Sequence, residues 1–340
     1  MARRRNIGSV LLVVIVLCVA GLTGMVMMNG RVARTGVPAK VAIPNGATLA
    51  EAADSLRQAR VIRSSFVFQL IALATGDGGG EISYGRYFIP RGASTSDILA
   101  QLHSGKGRFH RLTIPEGWGI RQIARLVQDS LGIPVDSVLS VARDAARRAR
   151  VRTEAADVEG YLFPATYDFT DGMSASAVVD TMLITFERRW KSAWDSTLKT
   201  QGRTRHDVIT LASIVEKEAG RSSDRPLIAS VYMNRLKAGQ RLQADPTVLY
   251  AMGLVAKRVL FADLRIESPY NTYRVSGLPP GPIASPGTAS IVAAITPAVS
   301  DEMFFVAFPD GHSQFTKTFK EHSAAVKAAH AARDSAAKVK

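Results

Sequence analysis

The apolar positions of the 340-residue chain fall into three patterns. An uncharged run extends from Ile7 to Met28. A motif then recurs: Ile43-Pro44-Asn45-Gly46, Ile89-Pro90-Arg91-Gly92 and Ile114-Pro115-Glu116-Gly117 share the form I-P-x-G. Apolar residues at helical spacing follow each copy: Leu49, Ala53 and Leu56, then Ile98 and Leu102, then Ile120, Ala124 and Val127. A strand, a tight Pro/Gly turn and an amphipathic helix would produce that signature three times over. The first and third copies align without gaps as far as Ile62 and Ile133, and the Gly76–Gly80 stretch reads as a flexible loop. The third pattern is broader. Val208 to Val215 is apolar on a wide face, predicting a helix with Asp207 as N-cap and Gly220 as its stop. Another helix is expected over Leu227 to Leu236.

The uncharged run changes how the charge is read. About 22 helical residues span about 33 Å, enough to cross a bilayer core. Arg3, Arg4 and Arg5 ahead of it place the N-terminus in the cytoplasm by the positive-inside bias. The run is longer than the apolar region of a signal peptide and lacks an A-x-A site, so an uncleaved anchor is expected. Cys18 follows the bulky Ile15, Val16 and Leu17, which excludes lipid attachment there, and as the lone cysteine it excludes disulfide and CxxC chemistry. Lys plus Arg outnumber Asp plus Glu by 43 to 29. An anchored chain with its bulk outside the cytoplasm meets no nucleic acid. The cluster Arg143, Arg147, Arg148, Arg150 and Arg152 is therefore read as a solvated helix face rather than a patch for anionic headgroups or an acidic polymer.

Candidate chemistry lies in the second half. Val158 to Tyr167 is rich in aromatic residues and broken by Gly and Pro, which suits a sugar-facing loop. Glu216 and Glu218 close the helix after Val208. At 100° per residue they point about 200° apart and flank its apolar face nearly equally, so periodicity does not choose between them. Further on, Arg241 to Thr247, Ser268 to Tyr273 and Gly277 to Gly287 are loops carrying Gln, Asp, Asn and Tyr, where binding sites tend to lie. No metal-ligand spacing, GxSxG, Walker or GxGxxG motif occurs, and Gly311-His312 reads as structural.

Two resemblances emerge. Ile43 to Ala53 resembles the start of a LysM module, with Ala47 where an aspartate is usual, and implies a hold on N-acetylglucosamine polymers. Six ordered blocks are similar to the MltG (YceG-like) family of membrane-anchored endolytic murein transglycosylases: Glu159 to Tyr167, Leu211 to Glu218, Ala229 to Leu236, Leu242 to Thr247, Ser268 to Tyr273 and Gly277 to Ala284. Ala165 and Ala219 depart from the family pattern. The resemblance implies an α+β fold: a transmembrane helix over 7–29 after a cytoplasmic stretch 1–6, a LysM-like α/β region over 30–110, a catalytic domain over 111–325 and an Ala/Lys-rich tail over 326–340. It matches Glu218 to the family's acid/base residue, with no metal or cofactor. Glu159, Tyr161, Gln243, Asp245, Tyr270, Asn271 and Tyr273 are expected to line one groove around it, Gln243 and Asn271 bonding acetamido groups. Implied partners are peptidoglycan strands, the inner membrane and cell-wall synthases such as penicillin-binding proteins. A non-catalytic peptidoglycan-binding anchor and a membrane-tethered scaffold are the competing readings.

Overall fold

In a computed structural model, residues 21, 24, 37–105, 107–253 and 259–338 are described. The expected membrane span over 7–29 lies outside the described residues, Gly21 and Gly24 apart. Among the described residues no helix is long and apolar enough to cross a membrane. The elements run in the order β1 Ala39–Ile43, α1 Leu49–Gln58, α2 Ser65–Ala74, β2 Gly85–Ile89, α3 Thr95–Ser104, β3 Arg108–Thr113, α4 Ile120–Leu131, α5 Val135–Ala142, α6 Ala145–Val151 and β4 Thr166–Thr170. After them come α7 Ala175–Arg189, α8 Ser192–Gln201, α9 Arg205–Glu218, α10 Arg225–Lys237, α11 Asp245–Ala251, α12 Thr288–Ile295, β5 Phe304–Ala307, β6 Ser313–Thr316 and α13 Phe319–Lys338. The architecture is mixed α+β, as expected.

The I-P-x-G repeat is a structural repeat. Each copy ends a strand and turns through its glycine in the left-handed region, at φ 71° for Gly46, 77° for Gly92 and 75° for Gly117. The cap of the following helix lies five residues after each isoleucine, at Thr48, Ser94 and Gly119. Two copies carry a reciprocal capping box. Thr48 accepts from the Glu51 amide while the Glu51 carboxylate takes the Thr48 amide, and Ser94 and Asp97 do the same before α3. The third copy has Gly119 at the cap. Gln122 still takes the Gly119 amide at 3.1 Å, but glycine has no side chain to return the bond.

The chain divides into two compact units, one formed by residues up to Arg111 with Asp168–Gly172, the other by Leu112–Tyr167 with Met173 onward. In the first, β1 alternates buried and exposed positions and pairs antiparallel with β2, Ala39 opposite Ile89 and Ile43 opposite Gly85. β2 pairs antiparallel with β3, and the four-stranded sheet has the order β1-β2-β3-β4. Val41, Leu56, Phe68, Tyr87, Ile98 and Leu102 form its core. The Gly76–Gly80 loop contains a short 3-10 turn, Asp77–Gly79. Asp168 and Asp171 gather four basic side chains of this unit: Lys40 and Arg111 pair with the first, Arg108 and His110 with the second.

The second unit is built around α9. His206 and every residue from Val208 to Val215 are buried, and α10, α11 and α12 pack on it. The helix starts earlier than expected. Thr204 is the N-cap, and Asp207 closes the capping box from inside the first turn. β5 and β6 form an antiparallel hairpin covered by α13, which continues through the Ala/Lys-rich stretch to Lys338 and buries Ala329.

Two glycines separate backbone strain from crowding. A Cβ at Gly46 would meet nothing within 4 Å, whereas at Gly160 (φ +83°) it would lie 2.4 Å from Pro282 Cβ. Gly46→Ala should cost about 1 kcal/mol from its left-handed backbone alone. Gly160→Ala should cost about 2 to 4 kcal/mol, since overpacking adds to the same strain. Denaturant unfolding of the two variants checks the difference.

Candidate active site

The last turn of α9 leaves the core and carries both glutamates. Their surroundings differ. Glu216 is consumed by structure: Arg225 donates to Oε1 at 3.0 Å, while the Gly287 amide at 3.0 Å and the Ser290 hydroxyl at 2.7 Å donate to Oε2. It thereby joins α9 to α10 and to the start of α12. Glu216 is therefore a buried structural carboxylate, its side chain 6% exposed.

Glu218 is half-buried and, among the described residues, has one side-chain hydrogen-bond partner, the Tyr232 hydroxyl, which donates to Oε1 at 2.9 Å. Burial pushes Glu218 up to about 7; the Asp245 charge adds to the rise, while the Tyr232 bond and Arg235 oppose it. Arg235 lies one helical turn from Tyr232 but does not neutralise the carboxyl. Its Nε donates to the Met303 carbonyl at 2.7 Å and its Nη1 to the Leu242 carbonyl at 2.6 Å, which tie α10 to the segments on either side. The result is a carboxyl that is about half-protonated near neutral pH and still reachable by solvent.

Asp245 and Tyr273 belong to this environment. The Tyr273 hydroxyl donates to Asp245 Oδ1 at 2.6 Å, and the Tyr273 ring is raised in pKa by burial and by the charges of Asp245 and Glu218. Gln243, at φ 52°, makes the turn that delivers Asp245 to the start of α11; its amide donates to the Thr272 carbonyl and its side chain is exposed. Tyr270 lies apart from that pair, its ring 4.8 Å from that of Tyr250 on α11.

Three expected groove residues are occupied otherwise. Tyr161 is completely buried, edge-on to Phe186, and offers no stacking face. Asn271 is also completely buried; its Nδ2 donates to the Leu264 and Ile266 carbonyls and its Oδ1 accepts the Tyr273 amide, so it shapes the loop and has no free amide for an acetamido group. Glu159 is 2% exposed, and both its oxygens accept the Ile120 amide at 3.0 Å. It supplies from a distant segment the helix cap that Gly119 cannot.

Tyr232, Arg235 and Arg225 were not singled out from the sequence. The first two share a face of α10 with the buried Ile228, at i, i+4 and i+7, a spacing that marked them as inward-facing. Nothing in the sequence pairs Arg225 with Glu216. Among the described residues there is no cluster of His, Cys, Asp and Glu that could hold a metal ion.

A profile of the YceG-like family matches residues 41–328. The chain belongs to the YceG-like family. The endolytic murein transglycosylase of Bacillus subtilis (strain 168) is 36% identical over 298 residues, covering 83% of this chain and 82% of that protein. Its Streptococcus pneumoniae namesake (strain D39) is 31% identical over 314 residues, and the match covers 56% of that longer protein. The crystal structure of a YceG-like protein from Listeria monocytogenes, solved at 2.6 Å, superposes with a TM-score of 0.61 at 33% identity, over 84% of this chain and 97% of that one. The YceG-like match spans both units.

Glu216 should behave as a structural ion pair. Glu216→Gln leaves the 11%-exposed Arg225 side chain without its counter-charge and should destabilise the fold by about 3 kcal/mol. Guanidinium unfolding reads this directly, and a change below about 1 kcal/mol would mean the pair is dispensable.

Proposed function

We propose that this YceG-like chain is an endolytic lytic transglycosylase. It cleaves the β-1,4 bond between N-acetylmuramic acid and N-acetylglucosamine inside peptidoglycan strands, leaving 1,6-anhydro ends. The observation that carries this reading is Glu218, a reachable carboxyl raised to about 7 by burial beside Tyr232 and Asp245. The printed names of the Bacillus and Streptococcus relatives support the same activity.

Such a carboxyl can serve twice. Protonated at rest, Glu218 gives its proton to the oxygen leaving C1 of N-acetylmuramic acid as the C1–O bond breaks. As carboxylate it then takes the proton of that sugar's C6 hydroxyl, whose oxygen closes on C1. The proton returns to Glu218 and no water enters. Ordinary glycosidases divide these tasks between two carboxyl groups; here the substrate's own hydroxyl replaces the second nucleophile. Its 2-acetamido group would stabilise the developing cation.

The rest of the proposal concerns place. The N-terminal run anchors the chain in the cytoplasmic membrane with both units outside the cytoplasm, the LysM-like first unit holds glycan, and neighbouring synthases supply nascent strands whose elongation the cut terminates. The antiparallel pairing of β1 and β2, with α1 and α2 between them, is compatible with the LysM-like reading.

Glu218→Gln keeps size and hydrogen bonding but has no proton to transfer. Anhydro-ended products from purified sacculi should fall at least 10²- to 10⁴-fold, because one residue supplies both acid and base. Full activity in that variant would end the reading. The wild-type rate should decline as pH rises through about 7, since the acid step needs the protonated carboxyl.

Stability carries the same titration. From the ordinary value of 4.5 up to about 7, folded Glu218 holds a proton that the unfolded chain releases, so rising pH across that window costs the wild type about 3 kcal/mol. Glu218→Gln lacks this loss. Its stability relative to wild type should therefore rise between pH 4.5 and 8, and parallel stability–pH curves for the two proteins would contradict the assigned burial.

A further inference from the structure

A cavity of about 330 Å³ opens beside Lys217, in the same unit as Glu218. Cations from three separate helices line it: Arg121 in the first turn of α4, Arg143 at the end of α5 and Lys217 in the last turn of α9. Several other arginines of this unit are spent on carboxylates. Arg147 grips Asp180 with two bonds at 2.8 Å, Arg150 grips Glu187 at 2.7 Å, and Arg225 holds Glu216. The basic cluster after Arg143 is thus partly ion-paired rather than simply solvated. Among the described residues, no carboxylate forms an ion pair with Arg121, Arg143 or Lys217. Helix stability does not explain Arg121 either, since a cation in the first turn opposes the helix dipole.

The acidic groups in the cavity are engaged with backbone, and the Arg121 charge acts on one of them, Glu159. Glu159 caps α4, and Asp157 accepts the Glu159 amide at 3.0 Å. Leu139, Leu249 and Tyr250 add apolar surface. The cavity therefore suits an anionic group on a short aliphatic stem, with the two guanidinium forks matched to carboxylate geometry.

We propose that this cavity binds the free carboxylates of the peptides that branch from the glycan strand, making the enzyme selective for strands carrying them. The inference rests on the reading of Glu218 as the acid that cuts peptidoglycan. Position supports it. Lys217 immediately precedes Glu218, about 3.8 Å away between Cα atoms. Pro246, in the cavity wall, immediately follows Asp245, whose charge acts on Glu218. A strand lying at Glu218 has its branches within reach. In a peptide-bearing strand the lactyl acid of the sugar is tied up as an amide, so the carboxylates available to the arginines belong to the peptide.

The test compares two strand preparations from the same sacculi, one native and one with its peptide carboxylates converted to carboxamides. Strand length and peptide length are the same in both. The full-length wild type should show a kcat/KM at least about tenfold higher on the native strands, expressed in KM, as expected for lost charge-assisted bonds. In Arg121→Gln and Arg143→Gln the ratio should collapse toward one, with Arg143→Lys retaining part of it. Arg147→Gln, which removes a paired arginine outside the cavity, should keep the wild-type ratio. Calorimetry of the peptides released from the same sacculi, titrated into Glu218→Gln chain with and without Arg143→Gln, should give binding only when Arg143 is present. Equal wild-type cleavage of both preparations would sink the cavity proposal and leave the catalytic reading standing. Cavity variants that slow both preparations by one factor would do the same. Absence of cleavage on either preparation would remove the catalytic reading and this inference with it.

Discussion

The burial of α9 is the constraint on which the candidate site depends. A helix that is apolar around most of its circumference must be enclosed, and α10, α11 and α12 pack on this one. Its last turn nevertheless carries three ionisable residues, and each is handled differently. Glu216 turns toward Arg225 and the start of α12, where charge and amide donors compensate its desolvation. Lys217 is exposed and rests on the Gly117 carbonyl at 3.3 Å. Glu218 receives one phenolic hydrogen bond and no direct counter-ion among the described residues, so its neutral form is favoured. The helix's C-terminal dipole acts in the same direction. The shifted carboxyl follows from a shortage of compensation at the edge of a packed core.

Much of the fold was legible because its signals are local. An I-P-x-G turn followed by helical spacing needs no tertiary information, and all three copies fold accordingly. Boundaries moved where two local signals competed. Asp207 and Thr204 both suit an N-cap, and the reciprocal box with Thr204 outside and Asp207 inside satisfies more backbone amides. The missing cap at Gly119 was also visible in the repeat, which has Thr48 and Ser94 at the equivalent positions. That Glu159 fills it was not, because the replacement comes from 39 residues further along the chain.

The site was less legible for the same reason. Helix angles left Glu216 and Glu218 equivalent; the family motif marks Glu218, and the tertiary neighbours Arg225, Ser290 and Tyr232 supply the physical difference. Aromatic and amide residues in Gly/Pro-rich segments suggested sugar contacts, yet such residues also make compact loops. Asn271 uses its side chain on carbonyls of its own loop, and Tyr161 is drawn into the core beside Phe186 because a phenol ring buries a large apolar area. Gln243 and Asp245 kept exposed groups because the turn at Gln243 places them at the head of α11, where the half-exposed Tyr273 bonds to Asp245.

A raised pKa does not by itself pick the acid in this unit. Burial pushes Glu159 up to about 8, further than Glu218. The two carboxyls differ in what they face. Glu159 lies at the N-terminus of α4 with its oxygens on the Ile120 amide, and that bond opposes the effect of burial by favouring the charged form. At 2% exposure both its oxygens are held on that amide, and moving it to meet an incoming group would uncap the helix. Glu218 sits at a helix C-terminus with the Tyr232 hydroxyl as its partner and part of its surface open. Proton transfer requires geometric access before it requires a matched pKa. Access is what favours Glu218 over the more strongly shifted carboxyl in the proposed role, and the family motif marks the same residue.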